Sequence, residues 1–202
     1  VPEEIFVDFT VPRAQVPPCT EVRSTLLGSS VLALKKHGLF DRYVALLPTE
    51  HHDELLYGAA GRWLPIEVGR AHYVACAALG LAPSECATIG ASVAQLAQKS
   101  AFSFVLRMAT ESGVTPWTML GKARDFWTRT YKGSDIAIIK LGPKECRFEI
   151  VNNVLAEGAY WRASFGGIMT AIAGAFCRKI FVRQLAWDPR EPGSARYRLS
   201  WV

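Results

Sequence analysis

Apolar and polar positions along this chain change period four times. The opening, Ile5 to Val16, reads as extended and is interrupted by Pro12, with Pro17 and Pro18 after it. Proline removes a backbone donor and disfavours helix, which predicts an extended N-terminal arm over residues 1–20. From Gly28 the spacing becomes helical: Val31, Leu32 and Leu34 precede Lys35, Lys36 and His37, with Gly38 as the C-terminal stop. A second short helix is expected over Phe40–Leu47, ending at Pro48. Thr49 is placed to N-cap a third, with Glu50 and Asp53 in a first turn where negative charge is favourable. Glu67–Leu81 reads as a helix of mostly small apolar residues, and Ser84 as the next N-cap. Val93, Leu96, Ala97, Ser100, Ala101, Phe104, Val105 and Met108 then fall on one stripe. Thr115-Pro116 opens a helix running to about Tyr131, with proline at its first position.

After Gly133 the period shortens to two. Asp135 to Leu141 is β-branched and apolar, and Gly142-Pro143 signals a turn. Cys146, Phe148 and Ile150 alternate with Glu145, Arg147 and Glu149, as in a half-buried strand that Asn152-Asn153 ends. Ala159–Cys177 returns to helix, and Gly166, Gly167, Ala171, Ala173, Gly174 and Ala175 give it a narrow surface suited to close approach to a sheet. Ile180–Trp187 and Ala195–Trp201 are two more strands around a Pro189/Pro192-Gly193 turn. In the last, Tyr197, Leu199 and Trp201 share one face, and Arg196 and Arg198 the other. The fold class predicted is α+β: a helical N-terminal part packed on a mainly antiparallel sheet, with β-β-α-β-β order towards the C-terminus. With no internal repeat or low-complexity linker, residues 1–202 are expected to form a single domain.

Composition narrows the class. Half the residues are apolar and 20% charged, which excludes a disordered tail. The length of 202 residues suits one large domain or two small ones. No stretch reaches the ~18 uncharged apolar residues of a membrane span. Val1-Pro2-Glu3-Glu4 has no basic and apolar leader, so a cytoplasmic protein is expected. Five cysteines without CxxC spacing argue against a disulfide or zinc-ribbon scaffold. The net charge of +5 is uneven, with residues 1–60 at −3 and residues 121–202 at +7. Arg147, Arg183, Arg196 and Arg198 sit at alternating strand positions. Tyr197 and Trp201 point away from them, which favours a solvated face or an acidic protein partner over nucleic acid.

Candidate chemistry is sparse. There is no phosphate loop, no GxGxxG turn and no HExxH helix. Gly90-Ala91-Ser92-Val93-Ala94 resembles a nucleophile elbow, but it lies inside a helical stretch with alanine at the last glycine position. His51-His52-Asp53-Glu54 gathers metal-ligand types, yet adjacent histidines diverge on a helix, and a solvated first turn is the simpler reading. His72 and Cys76, at i and i+4, point the same way. A buried helical histidine is either a haem ligand, noncovalent because no CxxCH exists, or a core histidine. The aromatic residues Trp63, Tyr73, Trp117, Phe126, Trp127, Tyr131, Tyr160 and Trp161 either line an apolar cavity or fill a core opposite small residues.

Several short runs resemble a myxobacterial paralogous family of unknown function. They are Gly28-Ser29-Ser30-Val31-Leu32-Ala33-Leu34, Phe40-Asp41-Arg42-Tyr43, Leu46-Leu47-Pro48 and Trp63-Leu64-Pro65. Later come Gly142-Pro143-Lys144-Glu145-Cys146-Arg147, then Tyr160-Trp161-Arg162 followed by Gly166, and Tyr197-Arg198-Leu199-Ser200-Trp201. That family is similar in layout to haem-nitric-oxide-binding domains, four-vinyl-reductase sensor domains and transport-particle subunits. The resemblance implies a helical half on an antiparallel sheet with a pocket between them. It carries no chemistry across: the haem domains' Tyr-x-Ser-x-Arg motif is absent, Tyr160-Trp161-Arg162 being the nearest run, and the sensor relatives' zinc-binding cysteine cluster is missing.

The function expected is therefore a non-enzymatic ligand-binding or sensory domain for an apolar small molecule or haem. The alternative is a protein-protein interaction module, with a signalling protein as partner and no ligand. The ligand site is placed between the Glu67–Leu81 helix and the Thr115–Tyr131 helix, at Trp63, His72, Tyr73, Cys76 and Trp127. No catalytic constellation is expected, and no metal is assigned.

Overall fold

The computed structural model describes residues 4–97 and 115–202. In chain order they form β1 (Glu4–Val7), β2 (Glu21–Arg23), α1 (Ser24–Lys36), α2 (Phe40–Leu46), β3 (Trp63–Pro65), α3 (Ile66–Ala78) and α4 (Pro83–Ala97). From residue 115 onwards come α5 (Pro116–Leu120), α6 (Ala123–Thr130), β4 (Tyr131–Lys132), β5 (Asp135–Gly142), β6 (Glu145–Val151), α7 (Ala159–Gly174), β7 (Ile180–Gln184) and β8 (Ala195–Trp201). The main sheet has the order β1-β5-β6-β8-β7, every pair antiparallel. A small antiparallel sheet, β3-β2-β4, ties the helical half together. The α+β class and the β-β-α-β-β order towards the C-terminus are as the periodicity predicts.

Period-two alternation decides which face of the main sheet is buried. Phe148 lies opposite Tyr197 and Cys146 opposite Leu199, and these four are buried on the inner face with Ile136, Ile138 and Ile150. The outer face is partly covered by the arm. Thr10 donates to Asp135 Oδ2 through its backbone N–H at 2.6 Å and its hydroxyl at 2.7 Å. Arg13 bridges Glu149 at 2.8 Å and Glu191 at 2.7 Å. Three of the four sheet arginines hold carboxylates of this same chain: Arg147 with Glu149, Arg196 with Glu191 and Arg198 with Glu145. Their charge is largely answered within the fold, which leaves little of it for an acidic partner.

The tightest packing joins α4 and α7. A Cβ on Gly90 would overlap the Ser164 carbonyl, and one on Gly167 would overlap the Ala87 carbonyl. The numbering rises on one helix as it falls on the other, so the helices cross antiparallel with backbone against backbone. The small-residue surface of α7 serves both a helix-helix crossing and the sheet approach expected for it: Gly167 meets α4, while the Cβ positions of Gly166 and Gly174 lie 3.7 Å from the Tyr197 ring and 3.5 Å from Ile180.

Several helix boundaries differ from expectation. α1 begins at Ser24, where β2 hands directly into it. Thr49 caps nothing through its side chain; Thr49–His51 is a 3-10 turn and Asp53–Tyr57 a π turn. α4 starts at Pro83, one residue before Ser84, and the Ala82 N–H is met by Glu85 at 2.7 Å. The Thr115–Tyr131 helix is two helices, broken at Gly121-Lys122. Thr115 opens α5 with a reciprocal capping box to Thr118. The part of the predicted stripe at Ser100, Ala101, Phe104, Val105 and Met108 lies outside the described residues.

The crossing generates a paired prediction. Gly90→Ala should cost about 3 kcal/mol, because neither backbone can yield to the new methyl. Gly28→Ala, where nothing lies within 4 Å of the new Cβ, should instead raise stability by about 0.5–1 kcal/mol by relieving a mid-helix glycine. Urea denaturation midpoints of the two variants check both signs.

Candidate functional site

A cavity of about 130 Å³ lies where α4, α5, α6 and α7 meet the inner face of the sheet. On α7 its wall is Phe165, Ile168, Met169 and Ile172, one face at three- and four-residue spacing. Val93 and Ala94 of α4, Met119 and Leu120 of α5, and Trp127 of α6 close the other sides, with Phe148 and Leu199 as the floor. The break at Gly121-Lys122 separates two short helices that both contribute to the wall. α6 is polar except on its cavity side, where Trp127 is its one buried residue.

Three side chains of the wall carry a nitrogen or oxygen. The Thr130 hydroxyl donates to the Phe126 carbonyl at 2.8 Å. The Tyr131 hydroxyl is hydrogen-bonded by Trp161, and burial pushes its pKa upwards. The Trp127 indole Nε1 is buried and has no hydrogen-bond partner among the described residues. Its ring is held against Tyr131 at 4.5 Å between centroids and edge-to-face with Phe165 at 6.0 Å.

A second buried polar group sits among α1, α2 and α3. His72, fully buried, places Nδ1 at 2.7 Å from the Tyr43 hydroxyl and Nε2 at 2.9 Å from the Ser30 hydroxyl. Cys76 Sγ is 3.7 Å from the same Nε2. Burial pushes the His72 pKa down to about 3 and the Cys76 and Tyr43 values up, so the group is neutral near pH 7. Each ring nitrogen meets a hydroxyl from a different helix, so His72 ties three helices together. Tyr73 packs against it at 4.8 Å.

The structure thus brings His72, Tyr73 and Cys76 into one cluster but not onto the cavity wall. Trp127 is the one residue of the sequence-derived set on that wall. Trp63 lies on β3, half-buried, with the Arg23 guanidinium 4.0 Å and the Lys132 ammonium 4.8 Å from its ring centre. Phe165, Ile168, Met169 and Ile172 fall at three- and four-residue spacing along α7; that spacing was the signal open to a sequence reading, which instead set the site between the Glu67–Leu81 and Thr115–Tyr131 helices and did not single these residues out.

Ser92, in the nucleophile-elbow-like run, has its hydroxyl 3.0 Å from His37 Nε2. It stands tenth in α4, where backbone N–H groups are spent within the helix and none is free to stabilise an oxyanion. His51 lies 3.7 Å from Glu54. Among the described residues no group of three His, Cys, Asp or Glu side chains could hold a metal ion. No helix among them is long and apolar enough to cross a membrane.

No protein-family model matches the chain, and no curated protein matches it by sequence. Solved structures do match by shape. An Fe(II) unliganded H-NOX protein from K. algicida superposes with a TM-score of 0.64 at 8% identity, over 89% of this chain and 96% of that one. An oxygen-binding H-NOX domain related to soluble guanylate cyclases, in its oxygen complex, gives 0.61 at 12%, covering 89% and 94%. A protein studied for modulation of haem redox potential by porphyrin distortion gives 0.58 at 11%, covering 89% and 99%. The fold is H-NOX-like. At these identities the likeness concerns the fold, and the chemistry of the site has to be argued from this chain's own residues.

The His72 cluster makes a pH prediction. The unfolded chain protonates an ordinary histidine near 6.5, whereas folded His72 stays neutral down to about 3. Between those values the unfolded state binds more protons. Stability contributed by this site is complete above 6.5 and falls by about 1.4 kcal/mol per pH unit below it. In denaturant titrations from pH 7 to pH 4, His72→Gln should show a shallower loss of stability than the wild type.

Proposed function

We propose that this chain is a non-enzymatic ligand-binding or sensory domain whose ligand is a small apolar molecule, about the size of one aromatic ring, held in the cavity between α4, α6, α7 and the sheet. The observation that carries the reading is the cavity itself. At about 130 Å³ it approaches the ~150 Å³ of an engineered apolar cavity that stays dry and admits benzene or xenon. Its wall is built almost wholly of aliphatic, aromatic and thioether groups, which would desolvate such a ligand without leaving charge unpaired. Trp127 is the residue of the sequence-derived set that we place against the ligand. His72, Tyr73 and Cys76 serve behind it as the tie among α1, α2 and α3, with Trp63 on the small sheet.

The H-NOX-like fold brings haem forward as the other ligand class. The residues present do not fit it. Neither histidine nor cysteine lines the cavity among the described residues, and neither does an arginine or lysine to meet propionates. His72, the histidine set deepest in the fold, has both ring nitrogens engaged by hydroxyls. The cavity is also far smaller than a tetrapyrrole requires. Fold likeness supports ligand binding in this region by analogy, and the local chemistry favours an uncharged ring over a metalloporphyrin.

Thermal unfolding with toluene tests the reading. Ligand at a hundred times its dissociation constant adds about 2.7 kcal/mol, a rise of several degrees in Tm for a domain of this size. Ala94→Leu, which projects extra methyls into the space, should abolish the rise. Haemin added to the purified protein should give no bound Soret band that responds to His72→Ala. Absence of a toluene shift in the wild type would overturn the proposal and leave the interaction-module reading in its place.

A further inference from the structure

The main sheet ends in two edge strands, β1 and β7. β1 with the residue after it reads Glu4-Ile5-Phe6-Val7-Asp8, and Lys179-Ile180-Phe181-Val182-Arg183 runs through β7. The apolar middle is the same in both, and the flanking charges are opposite. β7 is a regular edge, without proline or bulge. Lys179 exchanges backbone hydrogen bonds with Val202 at 3.4 and 3.0 Å, and the Leu185 N–H donates to Arg196 at 2.8 Å. Bonding alternates along an antiparallel ladder, so the backbone groups of Ile180, Val182 and Gln184 point away from β8. Phe181 is 49% exposed, with the Lys179 ammonium 4.8 Å from its ring centre. Among the described residues neither Lys179 nor Arg183, the fourth sheet arginine, meets a carboxylate. A row of unpaired backbone groups on a regular apolar edge is a template for another strand.

We propose that β7 is a docking edge for β1 of a second copy of this chain, paired antiparallel. Charge selects that occupant. With Phe181 opposite Phe6, Arg183 falls opposite Glu4 and Lys179 opposite Asp8. Two copies of β7 paired about Phe181 would set Lys179 against Arg183, and two of β1 would set Glu4 against Asp8, like charge against like. The faces also agree. β1 and β7 run the same way in the sheet, four antiparallel steps apart. Antiparallel docking therefore turns the second copy over and puts its helical layer on the opposite side. Phe181 and Arg183 stand beside Ser200 and Arg198 on the outer face. Phe6 packs 4.9 Å from Trp117, itself 5.0 Å from the inner-face Trp201, so Phe6 is on the inner face. Turning one copy over brings these two faces to the same side, as directly opposed residues require. A bulge between Ile5 and Val7 lies in the apolar middle of β1, so its charged ends carry the match. Glu4 bridges Lys140 at 3.1 Å, yet its side chain is 64% exposed and has room for a second cation. Each copy keeps one free edge after pairing, so the contact does not close at two. Edges of five residues bury less than a standard interface, which makes the association weak and driven by concentration.

Sedimentation velocity over a concentration series reads the assembly, independently of whether the cavity holds a ligand. The weight-average mass of the wild type should climb past that of a dimer. Two double variants, Lys179→Glu with Arg183→Glu and Glu4→Lys with Asp8→Lys, should each weaken association at least about tenfold, because like charges then face each other at both ends. An equimolar mixture of the two should assemble again, since every acidic edge of one then meets a basic edge of the other. If a variant fails to fold, amide hydrogen exchange on the wild type takes its place. The Ile180, Val182 and Gln184 amides should slow as concentration rises, while those of Phe181 and Arg183, already bonded to β8, stay unchanged. A wild type that stays monomeric to its solubility limit overturns the proposal, as does an association that stops at two copies. So does association undiminished in the variants, a mixture that stays monomeric, or a rise in mass without slowing of those three amides.

Discussion

The contact of α4 and α7 at Gly90 and Gly167 is the constraint around which this molecule is arranged. Two helix backbones meet there with no side chain between them, a separation that only glycine on both sides permits. The wall residues begin directly beside that contact: Ile168 and Met169 follow Gly167 in the chain, and Val93 and Ala94 stand one turn beyond Gly90. Close-packed interiors transmit such spacing, because side chains cannot compress to absorb a shift. The crossing therefore sets the distance from both helices to α6 and to the sheet, and with it the volume that remains.

Several buried polar groups outside the cavity tie elements of the fold to one another. His72 is met at both nitrogens by hydroxyls from two other helices. Arg162 gives one nitrogen to the Ala156 and Glu157 carbonyls, at 2.7 Å each, and lies under the Trp187 ring. Glu149, inside the outer sheet face, is held by Arg13 and Arg147. Networks of this kind fix one arrangement of elements, because breaking any member strands its partner in a low-dielectric interior.

A likeness of fold to H-NOX domains leaves the interior of this chain to be decided by its own side chains. Backbone arrangement depends on which faces are apolar and where glycine allows close approach. Ligand choice depends on the few side chains that reach the cavity, and here those are aliphatic, thioether and aromatic. The same helices and sheet can therefore enclose different chemistry as the wall residues change.

Local pattern was enough to identify most elements. Alternation named the inner faces of β6 and β8, and proline and glycine marked the ends of α1 and α2. Capping chemistry located the start of α5 at Thr115. These signals are legible because each depends on residues within a few positions of one another. The break between α5 and α6 was missed, since Gly121 in a helical run reads as a tolerated residue until packing requires a bend. The site was only partly legible for a deeper reason. Trp127 was singled out as an aromatic able to line a pocket, but its neighbours were sought on α3. Nothing in the sequence states that Gly90 and Gly167 meet, and that pairing of residues 77 positions apart is what brings α7 rather than α3 to the cavity. Periodicity determined which face of each helix is buried; only the tertiary crossing decided what that face is buried against.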